Sequence, residues 1–216
     1  MSNDDFDFEP IPGLPATPPA GEDILWQGAP SWRTVATRVF HADKVAIYFA
    51  ALMVWRFAAV QFDGFGGYEA GLSAFRILPF GIVAVGLLLL LAWGTGRSTV
   101  YTVTSKRVVM RYGMALPLTV NLPFAKIAAA DLKAHSDGTG DIALEMVGKD
   151  GFGFAVLWPH VKPFQFAKPQ PMLRCIPQPD KVAGLLASAL GASTVASSSK
   201  TPESKAVGWP KFRIAR

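Results

Sequence analysis

Val45-Ala-Ile-Tyr-Phe-Ala-Ala-Leu-Met-Val-Trp-Arg-Phe-Ala-Ala-Val-Gln-Phe62 and Ile77-Leu-Pro-Phe-Gly-Ile-Val-Ala-Val-Gly-Leu-Leu-Leu-Leu-Leu-Ala-Trp93 decide how this chain folds. Each run is 17 or 18 residues long, at the lower end of what spans a hydrocarbon core as a helix. Arg33, Arg38 and Lys44 precede the first run, and Arg97, Lys106, Arg107 and Arg111 follow the second. The intervening loop, 63–75, carries Asp63 and Glu69 and neither Lys nor Arg. Lys and Arg favour cytoplasmic flanks, so the pattern predicts a transmembrane hairpin over 45–97 with both termini in the cytoplasm.

Composition agrees with a membrane protein. Half the residues are hydrophobic, 17% are charged, and the mean hydropathy is +0.28, all high for a soluble chain. A net charge of +5 suits an anionic inner leaflet. The basic residues are scattered and accompany no nucleic-acid motif, so no nucleic-acid partner is expected. Cys175 is the single cysteine, which excludes an intrachain disulfide and fits a reducing compartment. Asp4, Asp5, Asp7 and Glu9 stand where a signal peptide would be basic, so cleavage is not expected.

Outside the hairpin four further segments are legible. Residues 1–23 are acidic and proline-rich, an expected flexible arm. Within 24–44, Ile24–Gly28 reads as a short strand, and Ser31 can cap a helix through His41. Trp32, Val35, Ala36, Val39 and Phe40 repeat there at helical spacing. A basic amphipathic helix beside a span is expected in the membrane interface; an ordinary core-facing helix is the alternative. Inside the first span Arg56 is costly. Its stem could snorkel outward, where Asp63 lies nearly on the same face, or it could offer a polar handle to another membrane helix.

From Ser98 the periodicity becomes two. Thr99–Thr104 and Arg107–Tyr112 read as strands about a tight turn. Leu118–Leu122, Ile127–His135, Asp141–Val147 and Phe152–Trp158 continue the series, with Asp137-Gly138 and Lys149-Asp150-Gly151 as turns. Six or so antiparallel strands predict a curled sheet or small barrel over 98–191. Pro159–Pro179 holds six prolines and is expected to form a strap anchored by Trp158, Phe164, Phe166, Met172 and Leu173 rather than an interior strand. Asp180 to Leu190 reads as an amphipathic helix stopped by Gly191, which resembles the pleckstrin-homology plan. Residues 192–216 are Ser- and Ala-rich, then basic, an expected flexible tail.

Nothing in the pattern points to catalysis, a metal or a cofactor. His41, His135 and His160 sit in no ligand spacing. Cys175 has no evident base, and buried cysteine usually acts as a small hydrophobe. Asp137-Gly-Thr-Gly-Asp141 lacks the third glycine, the lysine and the following helix of a phosphate loop, and is better explained by turn glycines. His160 is expected to tie down a backbone group or to meet a partner.

Tyr101-Thr-Val-Thr-Ser-Lys-Arg-Val-Val-Met-Arg-Tyr-Gly113 is similar to the strand-turn-strand signature of bacterial pleckstrin-homology-like membrane domains, and Leu25-Trp-Gln-Gly-Ala-Pro30 resembles the lead-in to their hairpin. More narrowly, five blocks resemble the PuhB family of photosynthetic complex assembly proteins. They are Phe6–Pro10 with Gly13–Pro15, Asn121–Phe124, Asp137–Ile142, Leu157–His160 and Gln170–Arg174. The resemblance implies an α+β membrane protein: a two-helix transmembrane hairpin, then a cytoplasmic antiparallel β-sheet or barrel with a C-terminal helix. It further implies an assembly factor for the reaction centre and core light-harvesting complex of purple bacteria. Such a protein would sit multi-pass in the inner, intracytoplasmic membrane and act by contact with reaction-centre subunits and core antenna polypeptides.

Two sets of residues are candidates for contact. Trp55 and Arg56 in the span, with Trp158, His160, Met172 and Arg174 on the strap, are expected to meet a partner, although the strap could merely lock the fold. Arg33, Arg38, Lys106, Arg107 and Arg111 are expected at lipid headgroups, the basis of an alternative reading as a lipid-sensing module. A homo-oligomer is compatible with either.

Overall fold

The computed structural model describes residues 13–14, 16–114, 116–148 and 153–198, with side chains to residue 192. Most of the expected arm, the Lys149-Asp150-Gly151 turn with Phe152, and the end of the tail lie outside the described residues.

Strand β1 (Ile24–Gly28) opens the fold, and helices α1 (Trp32–Arg38), α2 (Ala42–Phe62), α3 (Gly67–Phe75) and α4 (Leu78–Ser98) follow. The chain then returns through β2 (Val100–Thr104), β3 (Arg107–Tyr112) and β4 (Leu118–Pro123). These strands form one antiparallel sheet in the order β1-β2-β3-β4. Thus β1, placed by the sequence reading in a segment of its own, is an edge strand of the sheet, with Trp26 opposite Val103 and Gly28 opposite Tyr101. The four helices are an insertion between two neighbouring strands.

A single turn of tight helix, Phe124–Lys126, leads into β5 (Ile127–Ala134), β6 (Thr139–Met146) and β7 (Met172–Pro177), a second sheet in the order β5-β6-β7. The core lies between the sheets. Tyr101, Val103, Met110 and Leu122 of the first meet Ile142, Leu144, Leu173 and Ile176 of the second. Helix α6 (Pro179–Ser198), which continues through Gly191 instead of stopping there and takes in the first residues of the expected tail, adds Val182, Leu186 and Ala189. Fully burying one Leu or Ile side chain is worth about 1.5–3 kcal/mol, so this shared interior holds the sheets together.

Several expectations are corrected here. The loop 63–75 is largely helix α3. Glu69 Oε2 accepts the Gly66 N–H at 3.2 Å to start it, and buried Ala70 and Ala74, four residues apart, present a small face suited to close packing. Arg56 does not meet Asp63: its Nε donates to Ser73 Oγ on α3 at 2.8 Å. Instead of a strand over 152–158 there is a short helix α5, Phe154–Leu157. The proline strap contains a strand after all. Pro171 and Pro177 bracket β7 instead of interrupting it, and β7 is an edge strand, where a missing ladder donor is tolerated.

Helix α1 does not lie with its apolar face toward a membrane. Val35 and Ala36 are buried against Ala92 of α4 and Cys175 of β7, and Val39 and Phe40 pack beside them. The Ser31 N–H donates to the Cys175 carbonyl at 2.8 Å, and an added Cβ at Gly96 would come within 2.7 Å of Trp32 Cβ. Helix α1 is therefore a wedge that joins α4 to β7. By contrast, α2 and α4 are exposed along most of their length, and both are long and apolar enough to cross a membrane.

Glu22, assigned by sequence to the flexible arm, is ordered and buried. Arg107 Nε and Nη2 donate to its two carboxylate oxygens at 2.6 Å each, and Thr104 Oγ1 donates at 2.7 Å. The Arg107 bond, more than any other influence, holds the Glu22 carboxyl below the usual glutamate range. Glu22→Gln should lower stability by about 2 kcal/mol, read as a lower thermal midpoint in detergent. Asp23→Asn at the exposed neighbouring position should leave the midpoint unchanged.

Candidate functional site at the base of the hairpin

A cleft of about 930 Å³ opens where the helical insertion meets the second sheet. Asp131, Lys133, Asp141 and Arg174 form its sheet side, with Ala143 and Met172 between them. Arg38, His41, Asp43 and Lys44 form the side nearest α2, and Trp158, Pro159 and residues 161–164 close it on the strap. Charges of both signs share this lining with aromatic and aliphatic surface. Such a mixed lining suits an irregular protein segment better than a single small anion.

The cleft is held open by local chemistry. Gly138 takes φ +76°, so the Asp137-Gly138 turn forms as expected, and Asp137 Oδ1 accepts both the N–H and the hydroxyl of Thr139, at 3.2 and 2.7 Å. Its other oxygen accepts Thr34 Oγ1 at 3.3 Å and lies 3.9 Å from Arg38 Nε. The Thr139 hydroxyl is the main reason the Asp137 carboxyl stays low. One carboxylate thus ties α1 to the β5–β6 turn. Asp141 Oδ1 accepts the Cys175 N–H at 2.8 Å, and its Oδ2 lies 3.3 Å from His135 Nε2. Both ends of Asp137-Gly-Thr-Gly-Asp141 are structural, as turn glycines imply.

The expected partner residues divide. Trp158 is exposed and stacks edge-on against Phe40 at 6.0 Å. Met172 and Arg174 line the cleft beside it, and Arg174 Nη1 donates to the Pro159 carbonyl at 3.3 Å. His160 is buried, 2% exposed, and does not line the cleft. The Arg174 N–H donates to the Tyr101 hydroxyl at 3.2 Å, that hydroxyl is hydrogen-bonded to His160 Nδ1 at 2.6 Å, and Nε2 is hydrogen-bonded to Thr99 Oγ1 at 3.3 Å. Burial pushes His160 down to about 3 and Tyr101 up, so both stay neutral in the core. Trp55 and Arg56 lie within α2, apart from the cleft.

The five expected headgroup residues do not form one patch. Arg33 lies over the Trp32 ring at 5.5 Å, Arg38 faces Asp137, and Arg107 is bound to Glu22. Arg111 is buried in β3. Lys106 is exposed, but the β2–β3 turn follows the end of β2 remote from α4, about 16 Å along a five-residue strand. The sequence places Glu22 in the arm and reads Tyr101, Asp137 and Asp141 only as parts of a strand or turn; each has a bonding partner distant in the chain, and a single polar residue at a strand end or turn carries no periodic signal for it. Among the described residues no group of three or more His, Cys, Asp or Glu is placed to hold a metal ion. Cys175 is buried, and burial pushes its thiol up to about 12, which leaves it un-ionised and unreactive.

A four-stranded and a three-stranded antiparallel sheet packed face to face, with a C-terminal helix completing the core, define a pleckstrin-homology-like domain. Residues 69–190 match the family model described as Bacterial PH domain, and the chain belongs to that family. It is also 38% identical, over all of its own length and 98% of the relative's, to an uncharacterised 23.7 kDa protein in the puhA 5′ region of Rhodobacter capsulatus. No solved structure matches it.

The pH dependence of the buried network is testable. The folded state refuses a proton at His160 that the unfolded chain accepts near pH 6.5, so stability falls as pH drops below that value, by about 1.4 kcal/mol per unit. Thermal melts in detergent between pH 7 and 5 should show this slope, and His160→Gln should flatten it.

Proposed function

We propose that this chain is a membrane-anchored assembly factor for the photosynthetic reaction centre and its core light-harvesting complex, acting by protein contact. The observation that carries this reading is the full-length similarity to a protein encoded in the puhA region, a reaction-centre gene region. The resemblance in the Asp137–Ile142, Leu157–His160 and Gln170–Arg174 blocks supports it, since these blocks build the cleft and its supports. In this reading α2 and α4 cross the inner membrane. Arg33, Arg38, Lys44 and Arg97 flank their near ends, while Asp63, Glu69 and Arg76 lie at the far ends. That asymmetry puts the domain and both termini in the cytoplasm.

The second candidate span, Gly67–Ser98, has 32 residues. As helix it would extend about 48 Å, beyond a hydrocarbon core of about 30 Å, so part of α3 with Tyr68 and Glu69 would rest among headgroups. The near ends bring the cleft to the membrane surface, where a juxtamembrane segment of an unfinished subunit would meet it. Trp158 would offer a rigid aromatic anchor, and Asp131, Lys133, Lys44 and Arg174 would give polar orientation. We read the protein as non-catalytic: its single thiol is protonated and His160 is locked in the core.

Deletion of the gene followed by near-infrared absorption of isolated membranes tests the proposal. Reaction-centre and core-antenna bands should fall together with little change in free pigment, and normal bands in the deletion strain would refute it. Trp158→Ala, at an exposed position, should keep the protein at its normal level in the membrane and still lower both bands. Full complementation by that variant would remove the cleft from the mechanism.

A further inference from the structure

The outer edge of β5 is open: no other described strand pairs with it, and every residue from Ala128 to Ala134 is exposed. The strand has eight residues and no proline, and a long bare edge of this kind invites a further strand. The His135 N–H donates to the Thr139 carbonyl at 2.8 Å. Continuing the β5–β6 register from that bond turns the backbone groups of Ala129, Asp131 and Lys133 toward β6. Those of Ala130, Leu132 and Ala134 face outward.

We propose that two copies of this chain pair antiparallel through β5, with Leu132 opposite Leu132, to make one six-stranded sheet. In that register outward backbone groups meet outward backbone groups, and Ala130 faces Ala134. The flanking pairs set Asp131 of each copy against Lys133 of the other, two opposite-charge contacts related by the two-fold axis. Other registers are poorer. Centring on Asp131 or Lys133 opposes like charges, and centring on Ala130 leaves Asp131 against Ala129. Asp131 meets Lys162 at 3.6 Å within one chain, an exposed pair worth little by itself.

The geometry also satisfies a shared membrane. Asp131 and Lys133 stand on the face of Ala143 and Asp141, their register partners, which looks across the cleft to the start of α2. A two-fold axis perpendicular to the sheet keeps that face common to both copies, so both hairpins leave the dimer on the same side. Leu132 stands with Ile142 on the core face, and the paired leucines continue the interior across the seam.

The test uses the full chain in detergent and in native membranes, with Leu132→Cys treated with a short bismaleimide. Native Cys175 is buried, so a covalent dimer should appear with Leu132→Cys and not without it. Adding Lys133→Glu should abolish the cross-link, and adding Asp131→Lys to that variant should restore it, which a misfolded chain would not do. A dimer that survives Lys133→Glu unchanged assigns the contact to another surface and overturns the proposal. So does the absence of any cross-link, or a cross-link from Leu132→Cys to a different polypeptide.

Discussion

Strands β1 and β2 are hydrogen-bonded neighbours although four helices separate them in the chain. The rest of the architecture depends on that ladder. It returns the end of α4 to the point where the chain left the sheet, so the helical insertion starts and finishes side by side. Helix α1 consolidates the arrangement because Val35 and Ala36 fill the space between Ala92 and Cys175, and Ser31 is bonded to the β7 backbone. The helical insertion and the domain share buried residues as well as a covalent connection.

Charge is distributed in keeping with this design. Of the carboxylates that matter for folding, Glu22 at a strand edge and Asp137 at a turn are each satisfied by several donors, and Asp141 at a bulge accepts the Cys175 N–H. The groups left on the cleft lining are exposed and of both signs. The interior instead uses a neutral histidine and two tyrosines: Tyr101 bonds to His160, and the Tyr112 hydroxyl donates to the Val156 carbonyl at 2.8 Å. Burial raises Tyr112 to about 12, so none of the three adds an uncompensated charge to the core.

Much of this was legible in the sequence where a periodic signal existed. The two apolar runs, the β2–β3 hairpin, the Asp137-Gly138 turn and α6 each declare themselves through hydropathy spacing or turn chemistry. Features set by distant partners did not. Strand β1 is five residues long and has meaning only beside β2. Strand β7 hides among prolines whose harmless position at its ends is visible only once its edge placement is known. Arg56 has two polar candidates, Asp63 and Ser73, and only the packing of α3 on α2 selects between them. For the site, Trp158, Met172 and Arg174 were recognisable as a block and do share the cleft. His160 belongs to the same block but turns inward, because Tyr101 and Thr99 offer its ring two partners in the core.

The two connections from the hairpin to the sheet, with the α1 wedge between, remove the swivel that a single tether would leave. If the hairpin is fixed in a bilayer, the cleft keeps one height and one heading above it. Under the proposed function, selection would then include a ruler: a passing polypeptide would have to present its complementary segment at that distance from the lipid, whatever its affinity in solution. A flexible anchor would have sampled many heights and discriminated by chemistry alone.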